Sequence, residues 1–340
     1  MLLTEFFGDT FMENTNKFQS PGPEKIFSGN GHAYYRICMA IVFAFLQCLL
    51  CTFTAIASTT SHSVDTIAEG LLAGEAQFTN LRLEYTEYIT SGRNWNDPNK
   101  PSRTIEAVYA QKSVMTQEGH KRLRYLVRKV YVVDPNTKQS TLVDDTLRSF
   151  DGEATKILYM KVKSPEPMKG YILAGYDPNH FPSHDMDPHT KIWYVANKRL
   201  GSILRENKNT FHIENESELL DGISTVKLVG TISDGKFTMK LWVSPERNFL
   251  PLKCQVMQTG GRLLSETAVY KPVQLPNGMW YPNIVRSPAD PPGAPNPAYV
   301  HTYNISKISI DSIPEDFFRP AFPPNTRVLD DILKVTYTTY

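Results

Sequence analysis

The sequence predicts a mainly β protein: one curled antiparallel sheet with a few helices capping its concave side. Three observations predict it. Period-two alternation recurs through most of the chain beyond residue 80. It is cleanest at Phe237, Met239, Leu241 and Val243, which alternate with Lys236, Thr238, Lys240 and Trp242. Turn signals such as Asp151-Gly152, Ser233-Asp234-Gly235 and Pro276-Asn277-Gly278 separate the alternating stretches. Helical spacing occurs in only two places, too few to cover every strand, so a sheet of ten to twelve strands must curl to bury a face.

The composition fits this class. Of 340 residues, 41% are apolar and 21% charged, as in an ordinary folded chain. The net charge is +1, from 36 Lys+Arg against 35 Asp+Glu, so no global field draws in nucleic acid, and nucleic-acid binding is set aside. One apolar run alone is long enough to span a bilayer, which excludes a polytopic helical membrane protein.

That run, Ile37 to Ile56, carries no charge and follows Arg36, with Lys25 and Lys17 upstream. Ala55-Ile56-Ala57 is a small-x-small site suited to signal peptidase. Residues 1–57 therefore read as an N-terminal extension and signal peptide, and residues 58–340 as the folded domain. An uncleaved membrane anchor is the alternative, because the run is long for a signal. Neither Cys48 after Gln47 nor Cys51 after Leu50 fits a lipidation site. Cys38, Cys48 and Cys51 belong to this segment. Cys254 is the one cysteine beyond it, so an exported domain would have no internal disulfide and would rely on its core.

Beyond the signal, Ser61 to Phe78 reads as a helix, with Ser63 as N-cap and Val64, Ile67, Leu71 and Leu72 on one face. Leu81, Leu83, Tyr85 and Ile89 mark a half-buried strand. Ile105 to Met115 is the next, and Glu118-Gly119 turns into Leu123, Tyr125 and Val127, with Arg122, Arg124 and Arg128 between and beside them. Strands ending near Phe150 and spanning Ala154 to Val162 complete a meander. Ser164 to Thr190, rich in Pro, His and Asp, reads as a long surface loop. Trp193, Tyr194, Leu200, Ile203 and Leu204 give a second, short amphipathic helix. Strands resume near Thr210 and continue through Thr225–Ile232, Phe237–Val243, Leu252–Val256, Leu263–Lys271, Met279–Val285 and Ala298–Asp311. A Pro-rich loop, Ser287 to Pro297, interrupts the series, and one short strand ends it.

This layout resembles the LolA/LolB lipoprotein-carrier family in its long bacterial variant. Ile67-Ala-Glu-Gly-Leu71 with Phe78-Thr-Asn-Leu81-Arg-Leu83-Glu-Tyr85 is similar to that family's opening helix and first strand. Leu241-Trp-Val-Ser-Pro245 with Phe249-Leu-Pro-Leu252 is similar to its central hairpin. Phe318 to Asp330 is similar to its F-x-P-x-F-P-x-G-T-x-V-x-D ending. The resemblance covers most of residues 60–335. The loops Ser164–Thr190 and Ser287–Pro297 depart from the short carriers. It implies export to the periplasm or cell envelope, an incomplete barrel lidded by helices, and acyl chains or lipoprotein anchors as partners.

Chemical motifs are sparse. His180, His184, Asp185, Asp187 and His189 fall within ten residues and include competent metal ligands, but Pro182 and Pro188 break any helix there. The stretch reads as an exposed polar loop, and no metal site is assigned. The sequence has no Gly-x-Ser-x-Gly elbow, phosphate-binding Gly-rich loop or dinucleotide fingerprint. No catalytic residue is assigned and no cofactor is expected. His212 and His301 lie in expected strands as structural residues. Arg122, Arg124 and Arg128 are either a solvated sheet face or a basic patch for anionic lipid heads or a partner. Asn215-Glu-Ser217 and Asn304-Ile-Ser306 match glycosylation sequons.

The leading reading is a non-catalytic carrier or sensor that binds acyl chains in an apolar cavity. The expected lining is Leu83, Tyr85, Leu123, Tyr125, Phe237, Met239 and Leu241, with Trp193 and Tyr194 from the lid. The second reading is an envelope sensor or scaffold that binds a protein, including envelope membrane proteins. The third is a secreted hydrolase, which would need a Ser or His converging with a carboxylate.

Overall fold

The computed structural model describes residues 62–91, 97, 100–116, 119–160, 168–175, 187–196, 198–289 and 299–340. The expected signal segment, His180, His184, Asp185 and most of the Pro-rich loop lie outside the described residues.

Helix α1 (Val64–Ala76) opens the described chain, and Ser63 Oγ accepts the Thr66 N–H at 3.0 Å, the N-cap the sequence predicts. Its inward face carries Ile67, Ala68, Leu71, Gly74 and Glu75. Six strands follow as a meander: β1 (Asn80–Ser91), β2 (Arg103–Thr116), β3 (Gly119–Val133), β4 (Ser140–Phe150), β5 (Ala154–Met160) and β6 (Lys169–Ala174). Next come helix α2 (Pro188–Trp193), a small ribbon of β7 (Tyr194–Val195) and β8 (Lys198–Arg199), and helix α3 (Leu200–Glu206). A second meander runs through β9 (His212–Leu220), β10 (Ile223–Ile232), β11 (Phe237–Ser244), β12 (Leu250–Gln258), β13 (Leu263–Gln274), β14 (Trp280–Ala289) and β15 (Tyr299–Ser309). β16 (Arg327–Asp330) and β17 (Val335–Thr338) end the chain.

Fifteen of these strands make one curled sheet, in the order β17-β16-β6-β5-β4-β3-β2-β1-β15-β14-β13-β12-β11-β10-β9. The sheet does not close into a barrel. The two meanders meet in the middle, where β1 pairs antiparallel with β15 and a register shift falls at Glu84/Tyr85. One pair, β6 with β16, is parallel. The strand count exceeds the expected ten to twelve for a definite reason. β6, Lys-Gly-Tyr-Ile-Leu-Ala, lies within the stretch read as loop, and β16 and β17 have four residues each, too few to display a period.

The middle of the chain corrects the sequence in two ways. The single helix expected around Trp193 is two helices, parted by the β7–β8 ribbon, where Ala196 turns with φ of 48°. Pro188 does not break a helix but begins one. It occupies the first turn, where a missing N–H costs nothing, and Asp187 Oδ1 caps the turn by accepting the Thr190 N–H at 2.8 Å.

Both faces of the sheet are covered, by different parts of the chain. On the concave face, α1, α2 and α3 bury one apolar cluster against the sheet. It includes Ile67, Leu71, Leu83, Trp193, Met239 and Leu241. On the convex face, the segment after β15 runs back beneath the first meander as a strap. Lys112 Nζ donates to the Ile313 carbonyl at 2.8 Å, and the Phe317 ring packs at a tilt of 49° against Tyr125, with ring centroids 4.5 Å apart. Arg319 pairs with Asp151 at 3.3 Å, and Phe322 packs where a side chain at Gly170 would lie. Phe318, fully buried, anchors a second cluster with Ala110, Leu123 and Ile313. The Phe318–Asp330 motif is thus the strap and the strand to which it leads.

The hairpin Leu241–Leu252 is formed by β11, a 3-10 turn at Pro245–Arg247 and left-handed Asn248 and Phe249, with φ of 57° and 56°. The turn sets the Phe249 ring over Gly70 of α1, where any larger side chain would collide with it.

Candidate functional site

Strand alternation decides what the concave face presents. β1 places Leu81, Leu83, Tyr85, Glu87 and Ile89 inward. Their partners on β2 are Gln111, Tyr109, Ala107, Ile105 and Arg103. The partners of this β2 row on β3 are Arg124, Leu126, Arg128, Val130 and Val132. On β4 the row continues as Phe150 opposite Arg124, Arg148 opposite Leu126, Thr146 opposite Arg128 and Asp144 opposite Val130.

Where the helices meet this face, ionic and aromatic groups interlock. Glu75 of α1 has only 4% of its side chain exposed, and Arg122 Nη2 donates to its Oε1 at 2.9 Å. The Tyr194 hydroxyl donates to the same oxygen at 2.7 Å, and Arg199 Nε lies 3.2 Å from Oε2. Burial alone would raise the Glu75 pKa. His189, Arg122 and the Tyr194 hydroxyl outweigh that and hold it at about 2. His189 is fully buried, stacked parallel on Tyr281 and edge-on to Phe78, with Trp193 beside it.

A tyrosine group extends from there. Tyr85, Tyr281 and Tyr303 are buried, and burial first, then Asp187 beside all three and Glu87 beside Tyr85 and Tyr303, push their hydroxyls well above the ordinary range. They stay neutral at any physiological pH. Lys191 of α2 faces the same carboxylates; burial lowers its pKa, and Glu87 and Asp187 oppose that.

Beyond the helices the face opens into a pocket of about 430 Å³. Ile89, Ile105, Val130, Val132 and Val143 form its apolar walls, and Glu87, Arg103, Arg128, Asp144 and His301 stand among them. Val132 and Val143 are 40% and 49% exposed, so branched aliphatic surface faces solvent here. His301 Nδ1 lies 2.6 Å from Glu87 Oε1. These are two members of a base-and-orienter arrangement. Ser287, opposite His301 on β14, instead donates its hydroxyl to the Glu266 carbonyl at 3.1 Å and supplies no nucleophile.

Seven of the nine residues expected to line a cavity lie in or against the main concave cluster. Leu83, Tyr85, Trp193, Met239 and Leu241 are buried within it, and Tyr194 and Phe237 pack on it. Leu123 and Tyr125 do not join them. They lie on the convex face, against Phe318 and Phe317 under the strap. The parity expected for β3 is therefore inverted, and Arg122, Arg124 and Arg128 point the way Leu126 does. The reason is that the strap gives the convex face its own demand for apolar side chains. The exposed polar loop expected around His189 is corrected too, since Asp187 and His189 are buried. The sequence reading left out Glu87 and His301 as site residues, although Glu87 follows Leu81, Leu83 and Tyr85 in the same inward series.

No family model matches the sequence, and no curated protein matches it. Solved structures do show similarity. A DUF1329 family protein from Desulfovibrio piger aligns with a TM-score of 0.43 at 12% identity, covering 76% of this chain and 98% of that one. A putative outer membrane lipoprotein-sorting protein domain from Vibrio parahaemolyticus gives 0.38 at 11% identity, covering 74% and 95%. A LolA superfamily protein from Nitrosomonas europaea gives 0.33 at 14% identity, covering 76% and 98%.

Proposed function

We propose that the protein is a non-catalytic carrier or sensor of the cell envelope that holds an acyl chain on its concave face. The observation that supports this is the pocket of about 430 Å³, lined by Ile89, Ile105, Val130, Val132 and Val143 together with Glu87, Arg103, Arg128, Asp144 and His301. Its volume lies toward the lower end of the ~300–1,000 Å³ range of ligand sites. Each methylene an acyl chain buries there contributes about 0.8 kcal/mol, so aliphatic walls suffice and no cofactor is required. Leu83, Met239, Leu241 and Trp193 belong to the buried core of the same face, with Tyr194 packed against it, and none of them lines this pocket.

The test is mass spectrometry of lipid extracted from the purified protein, beside displacement of a fluorescent fatty acid. Saturable, displaceable binding that Ile105→Glu or Val132→Glu removes would support the proposal. Lipid-free protein with no displaceable binding would overturn it.

A further inference from the structure

β12 and β13 pair over only part of their length. Their ladder runs from Met257/Leu263 to Lys253/Ala268 and stops there. β13 continues to Gln274 with β14 on its other side, paired as far as Gln274/Trp280. β12 reaches back to Leu250 with β11 on its other side, paired as far as Ser244/Leu250. Between these two arms the sheet forks, and a pocket of about 600 Å³ occupies the fork.

Consecutive strand residues point to opposite faces of a sheet. This pocket is lined by consecutive residues of both arms, Leu252 with Lys253 and Ala268 with Val269 and Tyr270. It therefore lies between the strands, in the plane of the sheet, and not on one face. Beyond Ala268 the β12-side edge of β13 has no strand partner among the described residues. An open strand edge accepts another extended chain. The fork closes at Lys253/Ala268, so such a chain enters by its end and not by its middle.

The lining decides which end. Among the described residues that line the pocket, Arg247, Lys253 and Lys271 are cations and Asp221 is the one acid. Lys253 is engaged, 3.2 Å from Glu266 Oε2. Arg247 lies over the Trp280 ring, 4.5 Å from the centroid, a contact that holds the side chain without using its N–H donors. Lys271 is exposed and left-handed, with φ of 49°. Among the described residues neither Arg247 nor Lys271 has an ion-pair partner. The surplus positive charge suits a carboxylate end and opposes an ammonium end.

We propose that this fork binds the C-terminal end of a partner polypeptide as an added strand, its terminal carboxylate balanced by Arg247 and Lys271. The β13 arm of the lining, Ala268–Pro272, gives room for about four extended residues at ~3.3 Å each. Leu220, Ile223 and Leu252 supply apolar wall for their side chains. The site shares no residue with the Ile89–Val143 pocket, so it stands or falls apart from the acyl reading.

The test offers immobilised full-length protein two synthetic pools of random pentapeptides, one with free C-terminal carboxylates and one amidated, and quantifies retained peptide by mass spectrometry. The free-acid pool should be retained at least about fivefold more, the effect of one charge-assisted contact. Methylating the peptide amide nitrogens should remove retention, because an added strand needs those N–H groups. R247Q/K271Q should bring the two pools together, and R247K/K271R should keep the preference. Equal retention of both pools by the unmodified protein would overturn the carboxylate end, and retention of neither would overturn the site. Undiminished retention of methylated peptides would overturn the added strand. Release of the peptides by an equal concentration of hexanoate would assign the pocket to a small anion and overturn the polypeptide. A preference that survives in folded R247Q/K271Q would overturn the role of these cations. If R247Q/K271Q fails to fold by circular dichroism, the single variant K271Q, at an exposed position, decides.

Discussion

Arg122 on β3 donates to Glu75 on α1 at 2.9 Å, and its guanidinium also lies over the Tyr194 ring, 5.4 Å from the centroid. The contact joins the helix layer to the basic arm of the sheet. It places a carboxylate deep inside the protein beside Arg122, Arg199 and the Tyr194 hydroxyl.

The stability this carboxylate contributes depends on pH in a known direction. Its folded pKa is depressed from 4.5 to about 2. The contribution is thus present above the unfolded value and lost as pH falls through the folded one. It amounts to something on the order of 3 kcal/mol for a shift of this size. Urea denaturation of the unmodified protein and of Glu75→Gln should differ most above pH 5 and converge towards pH 2. A difference that stays constant between pH 6 and pH 2.5 would contradict the arrangement.

Gly74 should not tolerate alanine. In most exposed helix interiors Gly→Ala gains about 1 kcal/mol from backbone entropy. Here an added Cβ would meet the Asn248 carbonyl oxygen at 2.7 Å and the Trp193 ring at 3.1 Å. Gly74→Ala is expected to lower the melting temperature, against its helix propensity. Trp193→Ala should cost about 3–5 kcal/mol, as for any large buried aromatic. A melting curve on each variant checks both.

The strap should act locally. Phe318→Ala removes a fully buried ring from the convex cluster, again at about 3–5 kcal/mol. Hydrogen exchange should quicken first in β6 and β16, which the strap delivers to each other, before the β10–β13 hairpins change. Uniform acceleration over both meanders would argue against a separable strap.

Cys254 should be inert in the folded state. Burial pushes its thiol up to about 12, so almost no thiolate exists at pH 8. Iodoacetamide should label it only after denaturant is added. Rapid labelling of native protein would show that the β12 environment is more open than described.

Much of this arrangement is legible in the chain itself. The alternation at Phe237–Val243 gives β11 with the correct face inward, and Ser63 gives the start of α1. The parity of β3 is not legible. Leu123 and Tyr125 on one face and Leu126 and Val130 on the other are equally apolar, and a strap more than a hundred residues later decides between them. The burial of Asp187 and His189 is hidden for a similar reason. A local stretch of Asp, Pro and His reads as solvated, and the rings of Phe78 and Tyr281, from distant strands or their edges, with Trp193, make it interior. Glu87 is the converse case: its inward parity is plain in the sequence, and a carboxylate in an apolar series marks a site.

The pairing of β1 with β15 has a kinetic consequence. The Thr90 hydroxyl donates to the Val300 carbonyl across 210 residues, while nearly every other ladder joins strands adjacent in the chain. Each meander can therefore zip locally and early, but neither has its central neighbour until the chain has been made almost to its end. Loop closure on that scale slows folding in proportion to contact order. During synthesis the inner edge of β1 stays unpaired for most of the chain's length, open to any passing strand. Shielding β1 during synthesis is therefore expected to raise the folded yield of this protein.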